Sequence, residues 1–140
     1  MRAGRLVRGG VVRPGVEDAI RAHLLPRADI LTPNAWEAER LTGVYAGDPD
    51  GARAAIAALG RPCLISSVRH DGRIGAVFGD RSQAWYAHTQ ESPAHLRGAG
   101  DRLAAGLASA LLEGAAFADL AARAVETVAP DGAAVQSQAL

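Results

Sequence analysis

Leu103, Leu107 and Leu111 recur every fourth residue, shadowed one place on by Ala104, Ala108 and Leu112, and the stripe starts directly after Gly98-Ala99-Gly100-Asp101. That period is the apolar face of a buried helix, so the small-residue turn opens a helix running to Glu113-Gly114. Glycines let backbone N–H groups approach a ligand, and the first N–H groups of a helix have no internal partners. An anion is therefore favoured at this turn, by hydrogen bonds and by the helix dipole. A carboxylate inside an anion site has two readings on spacing alone. Asp101 can be the N-cap of its own helix, or, beside a bound phosphate, a base that takes the proton of an attacking hydroxyl.

Composition narrows the chemistry available to such a site. The chain has 140 residues, 49% hydrophobic and 21% charged, enough for one folded domain with a core. Formal charge is zero, so no overall field points to nucleic acid or an anionic membrane. All 15 basic residues are arginine. Without lysine there is no Walker-type phosphate loop and no Schiff base, and arginine must supply any cationic contact. The lone Cys63 lies in an apolar run and reads as a core residue, while His23, His70, His88 and His95 lack metal-ligand spacing. No apolar run reaches membrane-spanning length and no signal-peptide core follows Met1, so the expected location is the cytoplasm.

Along the chain, residues 1–13 suit a loose hairpin or an edge strand, and Val16, Ile20 and Leu24 mark a short helix stopped by Pro26. Residues 29–32 read as a strand cut off by Pro33. Asn34 can cap the next helix, which Gly43 ends, and Asn34 with Glu37 has capping-box spacing. The same polar pair would stand at the carboxyl end of a strand, where α/β sheets place ligands, and there it could hold a hydrated Mg²⁺ and phosphate oxygens. Asp48-Pro49 starts a helix closed by Gly60, and residues 62–68 form a buried strand ending in the hydroxyls of Ser66 and Ser67. Residues 74–78 and 83–87 make an antiparallel hairpin, and Ala118, Ala121, Val125 and Val128 give a second helical stripe that pairs with the first. From Ala129 to Leu140 the pattern stops, so the expected domain is 1–128 with a disordered tail, 129–140.

These residues carry a resemblance. Leu25-Pro26-Arg27-Ala28-Asp29-Ile30-Leu31-Thr32-Pro33-Asn34, followed by Glu37-Ala38-Glu39 and Leu41-Thr42-Gly43, resembles the central motif of pyridoxal kinases. Gly98-Ala99-Gly100-Asp101 is similar to the Gly-x-Gly-Asp signature of the ribokinase superfamily, to which those kinases belong. The resemblance implies an α/β fold, a ribokinase-like three-layer α/β/α sheet, truncated to its carboxyl-terminal half. It implies ATP-dependent phosphorylation of the 5′-hydroxymethyl group of pyridoxal or a related B6 vitamer, with Asp101 as catalytic base and Gly98, Ala99 and Gly100 as anion hole. Asn34 and Glu37, with Thr32 alongside, would then organise Mg²⁺ largely through water, and Ser66 and Ser67 would reach the ATP phosphates.

The departures from the family pattern are also informative. The first half of such a kinase is missing before Met1, so the resemblance implies a chain acting with a separate amino-terminal piece or as the remainder of a longer gene product, with a homo-oligomer partner as the other partner expected. Arg97 and Arg102 flank the signature where relatives are uncharged; Arg102 could pair with Asp101, touch phosphate or face solvent. Two other readings remain beside the kinase. One is a non-catalytic nucleotide- or phosphate-binding or interaction remnant, and the other, within enzymes, is a hydroxymethylpyrimidine kinase.

Overall fold

A computed structural model describes residues 14–89 and 99–140. The expected opening strand, Arg97 and Gly98 lie outside the described residues. Four antiparallel strands form one sheet in the order β1 (Cys63–His70), β2 (Arg73–Gly79), β3 (Ala84–Thr89) and β4 (Val135–Ala139). The β1–β2 turn is tight because Asp71 and Gly72 both adopt positive φ, 49° and 74°, the geometry of a two-residue hairpin loop. At the β2–β3 turn the Asp80 carboxylate accepts hydrogen bonds from the Ser82 and Gln83 amides at 2.8 and 3.0 Å.

Side chains alternate across this sheet and so build two cores. Cys63, Ile65, Val77 and Tyr86 face α2 (Ala35–Thr42) and α3 (Pro49–Leu59). Leu64, Ala76, Phe78 and Ala87 face α4 (Ala99–Leu112) and α5 (Leu120–Glu126). The result is the three-layer α/β/α arrangement. Helix ends follow their sequence signals: Asn34 and Glu37 form a reciprocal capping box, Asp48 caps α3 ahead of Pro49, and Gly43 and Gly60 close their helices in the left-handed conformation.

Five expectations need correction. The leucine stripe of α4 is buried only at Leu103 and Leu107; Ala108, Leu111 and Leu112 are exposed, because the face packed on the second core runs through Gly106 and Ala110 instead. Residues 29–32 are not a regular strand. Leu31 pairs in parallel with β1, donating to Pro62 O at 3.0 Å and accepting from Leu64 at 2.8 Å, but Pro33 has no N–H and can only accept, from Ser66 at 3.1 Å. The ladder thus breaks into two isolated bridges, Leu31 with Cys63 and Asn34 with Ser66. Pro26 does not stop the first helix: α1 (Val16–Ala19) continues through a π-helical turn, Ile20–Leu24, into a 3₁₀ turn, Leu25–Arg27, that contains it. Strand β1 does not end at its hydroxyls but bulges there and runs on to His70. The expected disordered tail contains β4, whose side chains are largely exposed. Backbone pairing to the edge of β3 holds it, with Val135 and Leu140 packed on opposite cores.

Candidate active site

The site begins with an irregularity in β1. Between Ile65 and Val68 the register with β2 shifts, and Ser67 takes a φ of 62°, rare for a residue with a side chain. A bulge re-aims the residues that it contains. Here Ser66, nearly buried, and the exposed Ser67 both line an open cavity of about 260 Å³.

The other wall is the first turn of α4, where Ala99 and Gly100 line the same cavity. Helix α4 is seated by Leu103, Leu107 and Ala110 in the second core, and it approaches α5 closely at Gly106, where any Cβ would run into the Thr127 methyl group. Two hydrogen bonds fix that crossing. Thr127 Oγ1 donates to Arg102 O at 3.0 Å, and Arg102 Nη2 donates to Thr127 O at 2.7 Å. Arg102 is thus directed to α5, not to Asp101 or toward a phosphate. Val125 and Val128, with Leu103, form the apolar side of the cavity.

Asp101 is exposed and is the third residue of α4, directly after Gly100. It lies inside the first turn and not ahead of it, which removes the N-cap reading and leaves its carboxylate favoured by the helix dipole. Asn34 is joined to Ser66 through the parallel bridge but does not line the cavity. Its Oδ1 accepts from the Glu37 amide at 2.8 Å, and Glu37 Oε1 accepts from the Asn34 amide at 2.9 Å. Thr32 is exposed two residues earlier.

The structure therefore brings Ser66, Ser67, Ala99 and Gly100 to one cavity, with Asp101 and Asn34 each one step away. Among the described residues no group of three or more His, Cys, Asp or Glu could hold a metal. The donor set of Asn34 and Glu37 is all oxygen, and Glu37 Oε2 has no partner among the described residues. This fits Mg²⁺, which keeps most of its waters and takes one or two carboxylates plus phosphates.

Sequence reasoning missed Arg69 and Thr89, which also line the cavity. Thr89 is a buried hydroxyl ending β3, and Arg69 follows the bulge by two residues. The first falls two residues past the strand expected over 83–87, so its burial had no local signal. Nothing local marked the second. The Cys63 thiol is pushed up to about 11 by burial, which suits a core residue and not a nucleophile. No helix of the described residues is long and apolar enough to cross a membrane.

Comparison with known proteins bears on this geometry. Residues 11–129 match the model of the pfkB family carbohydrate kinases. A pyridoxal kinase of Rubrobacter xylanophilus is 38% identical over 107 residues, covering 70% of this chain and 37% of that protein. The chain thus spans less than half the length of that curated relative. Among solved structures, a pyridoxal kinase from Lactobacillus plantarum matches with a TM-score of 0.69 at 31% identity, covering 90% of this chain and 47% of that one. An ADP complex of Bacillus subtilis pyridoxal kinase matches with a TM-score of 0.66 at 26% identity, covering 83% and 48%.

Proposed function

This chain belongs to the pfkB family of carbohydrate kinases, and from that premise we propose that it serves an ATP-dependent phosphotransferase acting on the 5′-hydroxymethyl group of pyridoxal. The observation that carries the reading is the shared cavity of the Ser66-Ser67 bulge and the first turn of α4, one residue ahead of Asp101. Pyridoxal kinases among the similar proteins support the acceptor, and the ADP complex of the Bacillus subtilis protein supports the nucleotide.

In this reading Asp101 accepts the proton of the acceptor hydroxymethyl group as its oxygen attacks the γ-phosphorus. The new P–O bond forms while the bond to the β-phosphate oxygen breaks, and that electron pair leaves with ADP. The proton then passes from Asp101 to solvent. Backbone N–H groups of Gly98, Ala99 and Gly100 stabilise the charge on the transferred group, the electrostatic work on which this reaction type chiefly depends. Ser66 and Ser67 donate to phosphate oxygens from the bulge. Asn34 and Glu37, with Thr32 beside them, would hold Mg²⁺ largely through water, and the bound ion would neutralise phosphate charge.

The test is release of ADP by the purified chain with ATP and pyridoxal, alone and supplemented with the amino-terminal part of a relative. Pyridoxal-dependent turnover in either arm supports the kinase. Nucleotide binding without turnover in both selects the binding-only reading, and turnover with a hydroxymethylpyrimidine but not pyridoxal selects the sister activity.

A further inference from the structure

Among the described residues, Arg69 is the cationic side chain lining the cavity. Its position is fixed by its own backbone, because the Arg69 amide donates to Gly47 O at 2.8 Å just beyond the bulge. Its side chain is exposed and makes no hydrogen bond or ion pair with another described residue. By contrast Arg21, Arg40, Arg61, Arg102 and Arg123 are committed to main-chain carbonyls or to carboxylates.

A nucleotide triphosphate brings several negative charges to this cavity. Hydroxyls and helix amides can solvate them, but offsetting them takes cations; Mg²⁺ would offset part of the charge, and with no lysine in the chain any side-chain cation is an arginine. A guanidinium on the same rim as the Ser66 and Ser67 hydroxyls, held by its backbone and otherwise uncommitted, meets the requirement. We propose that Arg69 is a binding residue for the phosphate chain of the nucleotide. This rests on the kinase reading but assigns a residue that the sequence motifs do not include.

Binding is measured by calorimetry with ATP and by ligand-observed NMR with adenosine, for the parent chain, Arg69→Ala and Arg69→Lys. The expected result is that Arg69→Ala weakens ATP by about tenfold or more, the worth of one charge-assisted hydrogen bond. Adenosine affinity and the melting temperature stay unchanged, and Arg69→Lys recovers part of the loss. Equal ATP affinity in parent and Arg69→Ala overturns this assignment alone. An equal loss for ATP and adenosine also overturns it, because the side chain then serves the base or the fold. Failure of the parent to bind ATP overturns it together with the kinase reading.

Discussion

Glu37→Gln separates the two jobs that the Asn34–Glu37 pair can do. In the structure Glu37 Oε1 accepts from the Asn34 amide at 2.9 Å while the Glu37 amide donates back to Asn34 Oδ1 at 2.8 Å. A glutamine carbonyl oxygen can accept the first bond equally well and leaves the second untouched, since a capping box admits either residue. Stability therefore loses only the attraction of a carboxylate for the helix N-terminus, about 0.3–1 kcal/mol. For a chain of this size that lowers Tm by roughly 1–4 °C.

The metal role depends on the charge that the substitution removes. Outer-sphere partners of a bound ion commonly contribute about 10–100-fold to its affinity. The assay is ATP affinity with Mg²⁺ and with EDTA, alongside a thermal melt followed by circular dichroism. In the parent, Mg²⁺ should tighten ATP; in Glu37→Gln that gain should fall by roughly 10–100-fold while the melt barely moves. Glu37→Ala is the control, losing both the charge and the hydrogen bond. If Glu37→Gln keeps the full Mg²⁺-dependent gain, the residue is a helix cap and nothing more.

Asp101→Asn should lower pyridoxal-dependent ADP release by about 10²–10⁴-fold, because an amide cannot take the proton, while ATP affinity by calorimetry is retained. Gly75→Ala should cost about 1–3 kcal/mol in urea denaturation, since a Cβ there would strike the Ala87 carbonyl and the Tyr86 ring. Asp80→Ala should lose about 1–2 kcal/mol at neutral pH with the Ser82 and Gln83 hydrogen bonds. Those bonds hold the Asp80 carboxyl below its ordinary value, the Ser82 amide first. Its stabilisation is thus present above the unfolded-state pKa and lost as pH falls through the folded one, so parent and variant melts should converge in acid. Deleting residues 135–140 should strip β4 from the edge of β3, and light scattering should show faster aggregation from the exposed strand.

What could be read from the sequence was what neighbouring residues decide. Helix α2 announces itself through Asn34, Glu37 and Gly43, and α3 through Asp48-Pro49 and Gly60, because caps act within one turn. The hairpin of 74–78 with 83–87 is equally local, whereas the leucine period of α4 gave the helix but not its buried face, which packing against α5 sets at Leu103, Gly106, Leu107 and Ala110. The tail was misread for the opposite reason. Strand β4 has few buried side chains to set a period, and it is held by backbone bonds to a partner more than forty residues away, which composition does not record.

The site combines both kinds of information. Gly98, Ala99, Gly100 and Asp101 were visible as a turn opening a helix, and Ser66-Ser67 as hydroxyls in an apolar run, but the meeting of Ala99 and Gly100 with Ser66 and Ser67 at one cavity depends on two breaks in regularity. Pro33 cannot donate to β1, which ends the parallel pairing where Asn34 turns into α2. Ser67, at a φ of 62°, kinks β1 beside that point. An unbroken strand would send successive side chains to opposite faces, so Ser66 and Ser67 could not both line a cavity on one face. A substitution that regularises β1, such as Ser67→Val, should remove φ > 0 at a β-branched residue. It should then weaken nucleotide binding while leaving the capping box and the α4–α5 crossing in place.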